Sequence, residues 1–135
     1  MERLILDTTV LLAAERATAA IEDVVQDDDD VAIAAITAAE LLVGVQLADR
    51  RRRALRGKFV DDLLASVPVE AYDLDTARAH AELLAYARRQ GQTRGAHDLV
   101  IAATAHARAR IVVTADAAGF HGLPGVDVRL LEPRE

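Results

Sequence analysis

Four acidic residues lie at the borders of apolar segments: Asp7, Glu40, Asp98 and Asp116. Asp7 interrupts the run LILDTTVLL, where a bare charge is costly unless another group compensates it. Carboxylates that approach one another cannot all stay ionised unaided, and a hard cation with oxygen ligands removes the conflict. The four acids therefore indicate a Mg²⁺ or Mn²⁺ site that activates water for attack on a phosphodiester.

The elements that must position these acids are strands of a parallel sheet. Strands are predicted from the segments RLIL, VAIAAI, VPVEAYDL, RIVVTAD and VDVRLLEP, the third at an edge because Pro68 removes a ladder donor. Helical segments alternate with them, so we expect an α/β fold with a parallel five-stranded sheet and helices on both faces. Ligands of such sheets bind beyond the carboxyl ends of the strands. All four acids map to that edge of the sheet, here called the rim.

Each acid also has a purely structural explanation. Asp7 is a good N-cap for the helix that follows it, and Asp98 suits the start of the helix DLVIAATAHARA. The segment TAAE fits a capping box in which Glu40 reaches back to a helix that begins at Thr37. Asp116 suits a turn. Capping does not predict that all four acids share one rim, so the metal site is the favoured hypothesis.

Composition restricts the class of protein. The chain has 135 residues, 52% of them hydrophobic, which is enough for one compact domain with a real core. It has no cysteine, which excludes disulfides and thiolate chemistry and suits the cytoplasm. A net charge of -6 and 3% aromatic residues argue against a general nucleic-acid coat protein and against a base-stacking surface. We expect no export signal. We also expect no membrane span, since Glu40 interrupts the longest apolar stretch.

Four segments together resemble a known family. LILDTTVLL, ITAAELLVGV, GAHDLVIAATA and IVVTADAAGF are similar, in order, to the motifs of the PIN domain, the fold of metal-dependent ribonucleases. The resemblance is closest to VapC-type toxins of bacterial VapBC toxin–antitoxin pairs. It covers nearly the whole chain and implies a single PIN-like domain over residues 1–135.

The resemblance also implies a function and its residues. It assigns Asp7, Glu40, Asp98 and Asp116 to a Mg²⁺ or Mn²⁺ site, with the hydroxyls of Thr8 and Thr114 in support. The implied reaction is endonucleolytic cleavage of RNA by metal-activated water. The implied partners are a second copy of the chain in a homodimer and a cognate VapB-type antitoxin. The C-terminal segment of that antitoxin would cover the acidic groove, often with an arginine among the carboxylates.

Other polar residues near the acids have open roles. Arg94, in the loop before Asp98, is placed to reach an RNA phosphate. His97 adjoins Asp98 and either touches a ligand or substrate or is a partly exposed residue at a helix start. The run Arg50–Arg53 is either a solvated helix face or a contact for RNA phosphates.

Two non-catalytic alternatives belong to another class of protein. A phospho-receiver domain has the same five-stranded architecture, but it needs a lysine after its last core strand and an acidic pair after its first. The only lysine, Lys58, lies mid-chain, and Asp7 stands alone at the end of the first strand. A PIN-like protein-interaction module with a silent site stays open at this point.

Overall fold

Five parallel strands form one sheet in the computed structural model, which describes residues 1–16 and 21–132. The strands are β1 (Arg3–Leu6), β2 (Asp30–Ala34), β3 (Val69–Glu70), β4 (Ile111–Thr114) and β5 (Val128–Leu130), in the order β3-β2-β1-β4-β5. All neighbouring strands run parallel. The predicted parallel sheet is confirmed, with β3 at its edge next to Pro68. Pro133, the last residue of the predicted fifth strand segment, lies outside the described residues.

Helices connect the strands. They are α1 (Thr8–Glu15), α2 (Ala35–Leu47), α3 (Arg50–Ser66), α4 (Leu74–Arg89) and α5 (Ala96–Arg108), with short 3₁₀ turns at Ile21–Asp23 and Ala117–Gly119. Within the described ranges no helix combines the length and the apolar character needed to cross a membrane.

Two predicted helix starts are wrong by two residues. Helix α2 begins at Ala35 rather than at Thr37, and α5 begins at Ala96 rather than at Asp98. The residues that precede them, Ala34 and Gly95, have no side chain able to accept a hydrogen bond. No capping residue in the sequence therefore marks either start.

Apolar side chains cover both faces of the sheet. Leu4 and Leu6 of β1 pack on one face with Val10 of α1, Leu41 of α2 and Val60 of α3. On the other face, Ile5 packs with residues of α4 and α5, among them Leu83 and Ile101. This alternation along β1 buries the sheet from both sides, as expected for parallel strands. The prediction of helices on both faces is confirmed.

A buried arginine joins the strands at their amino-terminal ends, opposite the rim. Arg110, immediately before β4, has a side chain that is only 4% exposed. Its guanidinium donates to the backbone oxygens of Leu4 and Asp30 at 3.1 and 2.9 Å, and to the carboxylate of Asp30 at 3.0 Å. It also pairs with Glu70 of β3 at 2.8 Å. One side chain thus contacts β1, β2 and β3, which satisfies its buried charge.

Candidate active site

The rim contains the point where the strand order reverses, between β1 and β4. In open α/β sheets this reversal opens a crevice that holds ligands. Asp7 directly follows β1, and Asp116 lies two residues beyond the end of β4. The topology therefore places these two predicted residues on either side of the crevice.

Asp7 is buried and held by hydroxyl groups. It is only 2% exposed. Thr9 donates to its Oδ1 and Thr114 to its Oδ2, both at 2.6 Å, and the Val10 amide donates to Oδ1 at 3.2 Å. Burial raises the pKa of Asp7 above 3.8, although these hydrogen bonds act in the opposite direction. Asp7 is the N-cap of α1, as predicted. It is also a carboxylate whose charged form is destabilised by burial.

Thr9 is a residue that the sequence interpretation missed. Besides donating to Asp7, its hydroxyl accepts from the Ala115 amide at 2.9 Å and lies 3.3 Å from the hydroxyl of Thr114. Thr114 in turn accepts from the Asp116 amide at 3.0 Å. The hydroxyl pair therefore joins the end of β1 to the segment after β4. The signal available in the sequence was only a second threonine after Asp7.

Glu40 does not form the predicted capping box. Its Oε1 accepts a 3.0 Å hydrogen bond from Thr8, and its Oε2 lies 3.4 Å from Nδ1 of His97. The hydroxyl of Thr37 is fully buried and has no hydrogen-bond partner among the described residues. Because α2 begins at Ala35, Thr37 lies inside the helix and cannot be its N-cap. Helix capping therefore does not explain Glu40.

Asp98 links all four acids electrostatically. It lies in the first turn of α5, where the N-cap is Gly95. Burial raises the pKa of Asp98 above 3.8, and the nearby charges of Asp7, Glu40 and Asp116 raise it further, while His97 lowers it. Asp7, Glu40 and Asp116 are therefore near enough for their charges to act on Asp98.

Asp116 has a structural task as well. Its Oδ1 accepts a 3.2 Å hydrogen bond from the Ala118 amide and so caps the turn Ala117–Gly119. The turn predicted from the sequence is confirmed. Capping thus accounts for part of the role of Asp7 and Asp116 but not for Glu40, while Asp98, which is not an N-cap, lies in the first turn of α5, where the helix dipole favours an acid.

Arg94 is engaged by protein groups. Its guanidinium donates to the backbone oxygens of Ala118 and His121 at 3.2 and 2.6 Å, and to the side chain of Gln92 at 2.9 Å. These bonds tie the loop before α5 to the turn after β4. Contact between Arg94 and an RNA phosphate stays a prediction, and the contacts add a role that the sequence did not indicate.

The remaining basic residues lie on the surface. The side chain of His97 is 56% exposed, so its pairing with Glu40 is open to solvent. Arg50–Arg53 are exposed at the start of α3, where Arg53 donates to the backbone oxygens of Gln46 and Ala48. Neither observation decides between substrate contact and a solvated face.

The donor set of the rim suits a hydrated hard cation. Its side chains offer carboxylate and hydroxyl oxygens, the ligands that Mg²⁺ and Mn²⁺ prefer. In the described parts of the chain, no three His, Asp or Glu side chains are grouped closely enough to hold a metal ion among themselves. Mg²⁺ usually keeps several waters and binds directly to only one or two carboxylates. The residues therefore fit a cation held partly through water.

Comparison with known proteins agrees with this geometry. A model of the PIN domain matches residues 4–125. The chain is 35% identical over 100 residues to the VapC ribonuclease Y4jK of Sinorhizobium fredii, which covers 71% of each chain. It is 26% identical over 126 residues to the ribonuclease VapC of Rickettsia bellii, covering 93% of each.

A solved structure shows the same architecture. The chain superimposes with a TM-score of 0.80 and 30% identity on a member of the VapBC family of toxin–antitoxin systems, VapBC-5 from Mycobacterium tuberculosis. The match covers 96% of this chain and 99% of the other. The resemblance seen in the four sequence motifs is thereby confirmed, and the chain belongs to the PIN domain family.

Proposed function

We propose that this chain is a metal-dependent endoribonuclease that acts as the toxin of a VapBC-type toxin–antitoxin pair. Its relatives from S. fredii and R. bellii are named VapC ribonucleases. The observation that carries the proposal is the convergence of the four acids at the rim. The charges of the other three acids act on Asp98, and its place in the first turn of α5 explains an acid at a helix start but not the nearness of these other acids.

In this proposal Asp7, Glu40, Asp98 and Asp116 hold Mg²⁺ or Mn²⁺, directly or through water. The bound cation supplies Lewis acidity, which activates a water and offsets the negative charge that develops at the phosphodiester. Burial first, and then the charges of the other three acids, raise the pKa of Asp98, and a positive charge at the rim would offset that repulsion.

Neighbouring side chains keep the carboxylates in place. Thr9 and Thr114 orient the two oxygens of Asp7, while Thr8 and His97 do so for Glu40. A carboxylate oxygen can accept two hydrogen bonds, so Oδ2 of Asp7, bonded to Thr114, and Oε1 of Glu40, bonded to Thr8, each keep a lone pair for a cation or a water. Arg94 lies at the border of the rim, where its positive charge favours the RNA backbone.

The partners follow from the same assignment. A VapB-type antitoxin is the proposed inhibitor, because the related VapBC-5 structure belongs to a toxin–antitoxin system. A cationic side chain of that antitoxin would neutralise the rim as a metal does. We further propose that residues 1–135 act as one domain, form a homodimer and work in the cytoplasm. The family assignment removes the phospho-receiver alternative.

The test is cleavage of a mixed pool of transfer and ribosomal RNA by the purified chain in Mg²⁺, in Mn²⁺ and in EDTA. Asp98→Asn is the site variant. Asp62→Asn is the matched control, because Asp62 is exposed and pairs only at the surface with Lys58. We expect metal-dependent cleavage by the wild type and by Asp62→Asn, and none by Asp98→Asn.

Binding of Mn²⁺, measured by calorimetry, gives a second readout without RNA. A folded, partner-free wild type that neither binds Mn²⁺ nor cleaves RNA would contradict the proposal. That result would favour the non-catalytic interaction module.

A further inference from the structure

The carboxylate of Asp98 lies in a slot between two glycines. Gly95 precedes α5, and Gly119 ends the turn that follows β4. A Cβ atom added to Gly119 would lie 2.2 Å from Oδ2 of Asp98 and 2.9 Å from its Cγ. A Cβ atom added to Gly95 would lie 3.1 Å from the same oxygen. The backbone of Gly119 therefore approaches Asp98 more closely than any other residue type allows.

Backbone conformation does not explain this glycine. Gly119 lies outside the left-handed region of φ, unlike Gly91, Gly122 and Gly125, so any residue can adopt its backbone geometry. Glycine is required at position 119 only because a Cβ atom there would overlap the side chain of Asp98. The atoms that a side chain would meet belong to the flexible end of Asp98, and rotation of that side chain relieves the overlap.

The turn that carries Gly119 is held from two sides. Its middle residue, Ala118, donates its amide to Asp116 at 3.2 Å and accepts from Arg94 at 3.2 Å. Phe120, the next residue after Gly119, is buried in the core. The backbone therefore has little freedom to retreat, so Asp98 must move when a side chain appears at position 119.

We propose that Gly119 is a positioning residue: its missing side chain leaves the space in which the Asp98 carboxylate stands toward Asp7, Glu40 and Asp116. Gly95 forms the looser opposite wall of the slot. The consequence for metal binding rests on the function proposed above, whereas the placement of Asp98 does not. Arg94 takes part indirectly, by holding Ala118 and with it the turn.

Three alanine variants form a graded series. Gly119→Ala overlaps Asp98 and Gly95→Ala crowds it, while Gly57→Ala is the control inside α3, where the nearest atom, of Val45, is 3.7 Å away. Mn²⁺ affinity is measured by calorimetry for each variant. We expect a loss of about 10-fold or more for Gly119→Ala, a smaller loss for Gly95→Ala and no loss for Gly57→Ala.

A double variant separates positioning from general damage. In the Asp98→Ala background the carboxylate is absent, so Gly119→Ala should cause no further loss of Mn²⁺ affinity. The melting temperature of the single variant Gly119→Ala should stay close to that of the wild type, because rotation of the Asp98 side chain relieves the contact cheaply. Equal losses in both backgrounds would overturn the proposal.

A metal-free measurement keeps the two proposals distinguishable. Three-bond couplings from the backbone to Cγ of Asp98, measured by NMR without metal, report its χ1 rotamer. We expect the rotamer to change in Gly119→Ala and to stay as in the wild type in Gly57→Ala. An unchanged rotamer would overturn the role of Gly119 even if Mn²⁺ binds. A changed rotamer in a protein that binds no Mn²⁺ would support that role and contradict the nuclease.

Discussion

The hydroxyl of Thr114 donates a 2.6 Å hydrogen bond to Oδ2 of Asp7, across the point where the strand order reverses. Both residues are buried. The bond favours the charged form of Asp7 and so opposes the rise in its pKa that burial causes. Thr114 therefore stabilises the charged form of the buried Asp7 while joining β4 to β1.

Thr114→Val tests this contact because valine keeps the shape and removes the hydroxyl. We expect RNA cleavage to fall about 10- to 100-fold, since groups that orient a metal ligand have effects of that size. Thr104→Val is the matched control, because the buried hydroxyl of Thr104 bonds only within its own helix, to Val100. Equal cleavage by the two variants would show that Thr114 does not orient Asp7.

Asp98→Asn should stabilise the metal-free protein. The pKa of Asp98 is raised above 3.8 by burial and then by its acidic neighbours, so the folded state holds this proton more tightly than the unfolded chain does. The contribution of Asp98 to the free energy of unfolding therefore falls as pH rises from 3.8 through the raised pKa of this residue. Asparagine removes the effect, and we expect a melting temperature a few degrees higher near neutral pH.

The pH series supplies the check. Melting temperatures in EDTA for the wild type, Asp98→Asn and the control Asp62→Asn should separate as pH rises and converge below pH 3.8. Adding Mn²⁺ should raise the melting temperature of the wild type more than that of Asp98→Asn. A constant difference at all pH values would exclude titration of Asp98 as its cause.

Arg110→Met should be strongly destabilising. It would leave the backbone oxygens of Leu4 and Asp30 without their donor and remove the buried partner of Glu70. Each buried acceptor left without its donor costs about 1–3 kcal/mol, while Glu70 and Asp30 keep Arg108 and Arg3 as partners. The control is Arg3→Met, which removes an arginine that is 43% exposed from the same Asp30 and should cost no more than about 1 kcal/mol. Urea denaturation measures the stability of both variants. Equal midpoints for Arg110→Met and Arg3→Met would show that burial of Arg110 does not matter for stability.

Two helix ends should respond oppositely to exchange of glycine and alanine. Gly91 follows α4 with a φ of 66°, and Ala109 caps α5 with a φ of 53°. Gly91→Ala should destabilise the protein by about 1 kcal/mol, and Ala109→Gly should stabilise it by a similar amount. Thermal unfolding measures both. The reverse pattern, in which Gly91→Ala stabilises the protein and Ala109→Gly destabilises it, would mean that unfolded-chain entropy dominates at these positions.

The sequence was most informative where topology alone decides. Parallel strands share one direction, so acids that follow different strands must meet at the same edge. That argument placed Asp7 and Asp116, and the raised pKa of Asp98 reflects the charges of both and of Glu40. Gly91, just beyond the end of α4, has a φ of 66°, a left-handed position that favours glycine.

What the sequence did not reveal depends on contacts between distant residues. Arg110 bonds to residues 40, 80 and 106 positions away, and no local pattern encodes those distances. The start of α2 was misplaced because Ala34 gives no capping signal, and this error created the false capping box at Glu40. Thr9 was missed because its hydroxyl contacts Ala115 and Thr114, which lie 106 and 105 positions away in the sequence.

The arginine at the amino-terminal ends of the strands also bears on misfolding. Because β1, β2 and β4 are largely apolar on both faces, a slip of one residue between neighbours would exchange one buried apolar side chain for another at little cost. Such a slip would move Leu4 or Asp30 away from Arg110, whose buried guanidinium would then lose part of its acceptors. Arg110 therefore favours the native register over slipped registers that the hydrophobic pattern alone would tolerate. Only in the native register do the carboxylates at the opposite ends of the strands lie side by side at the rim.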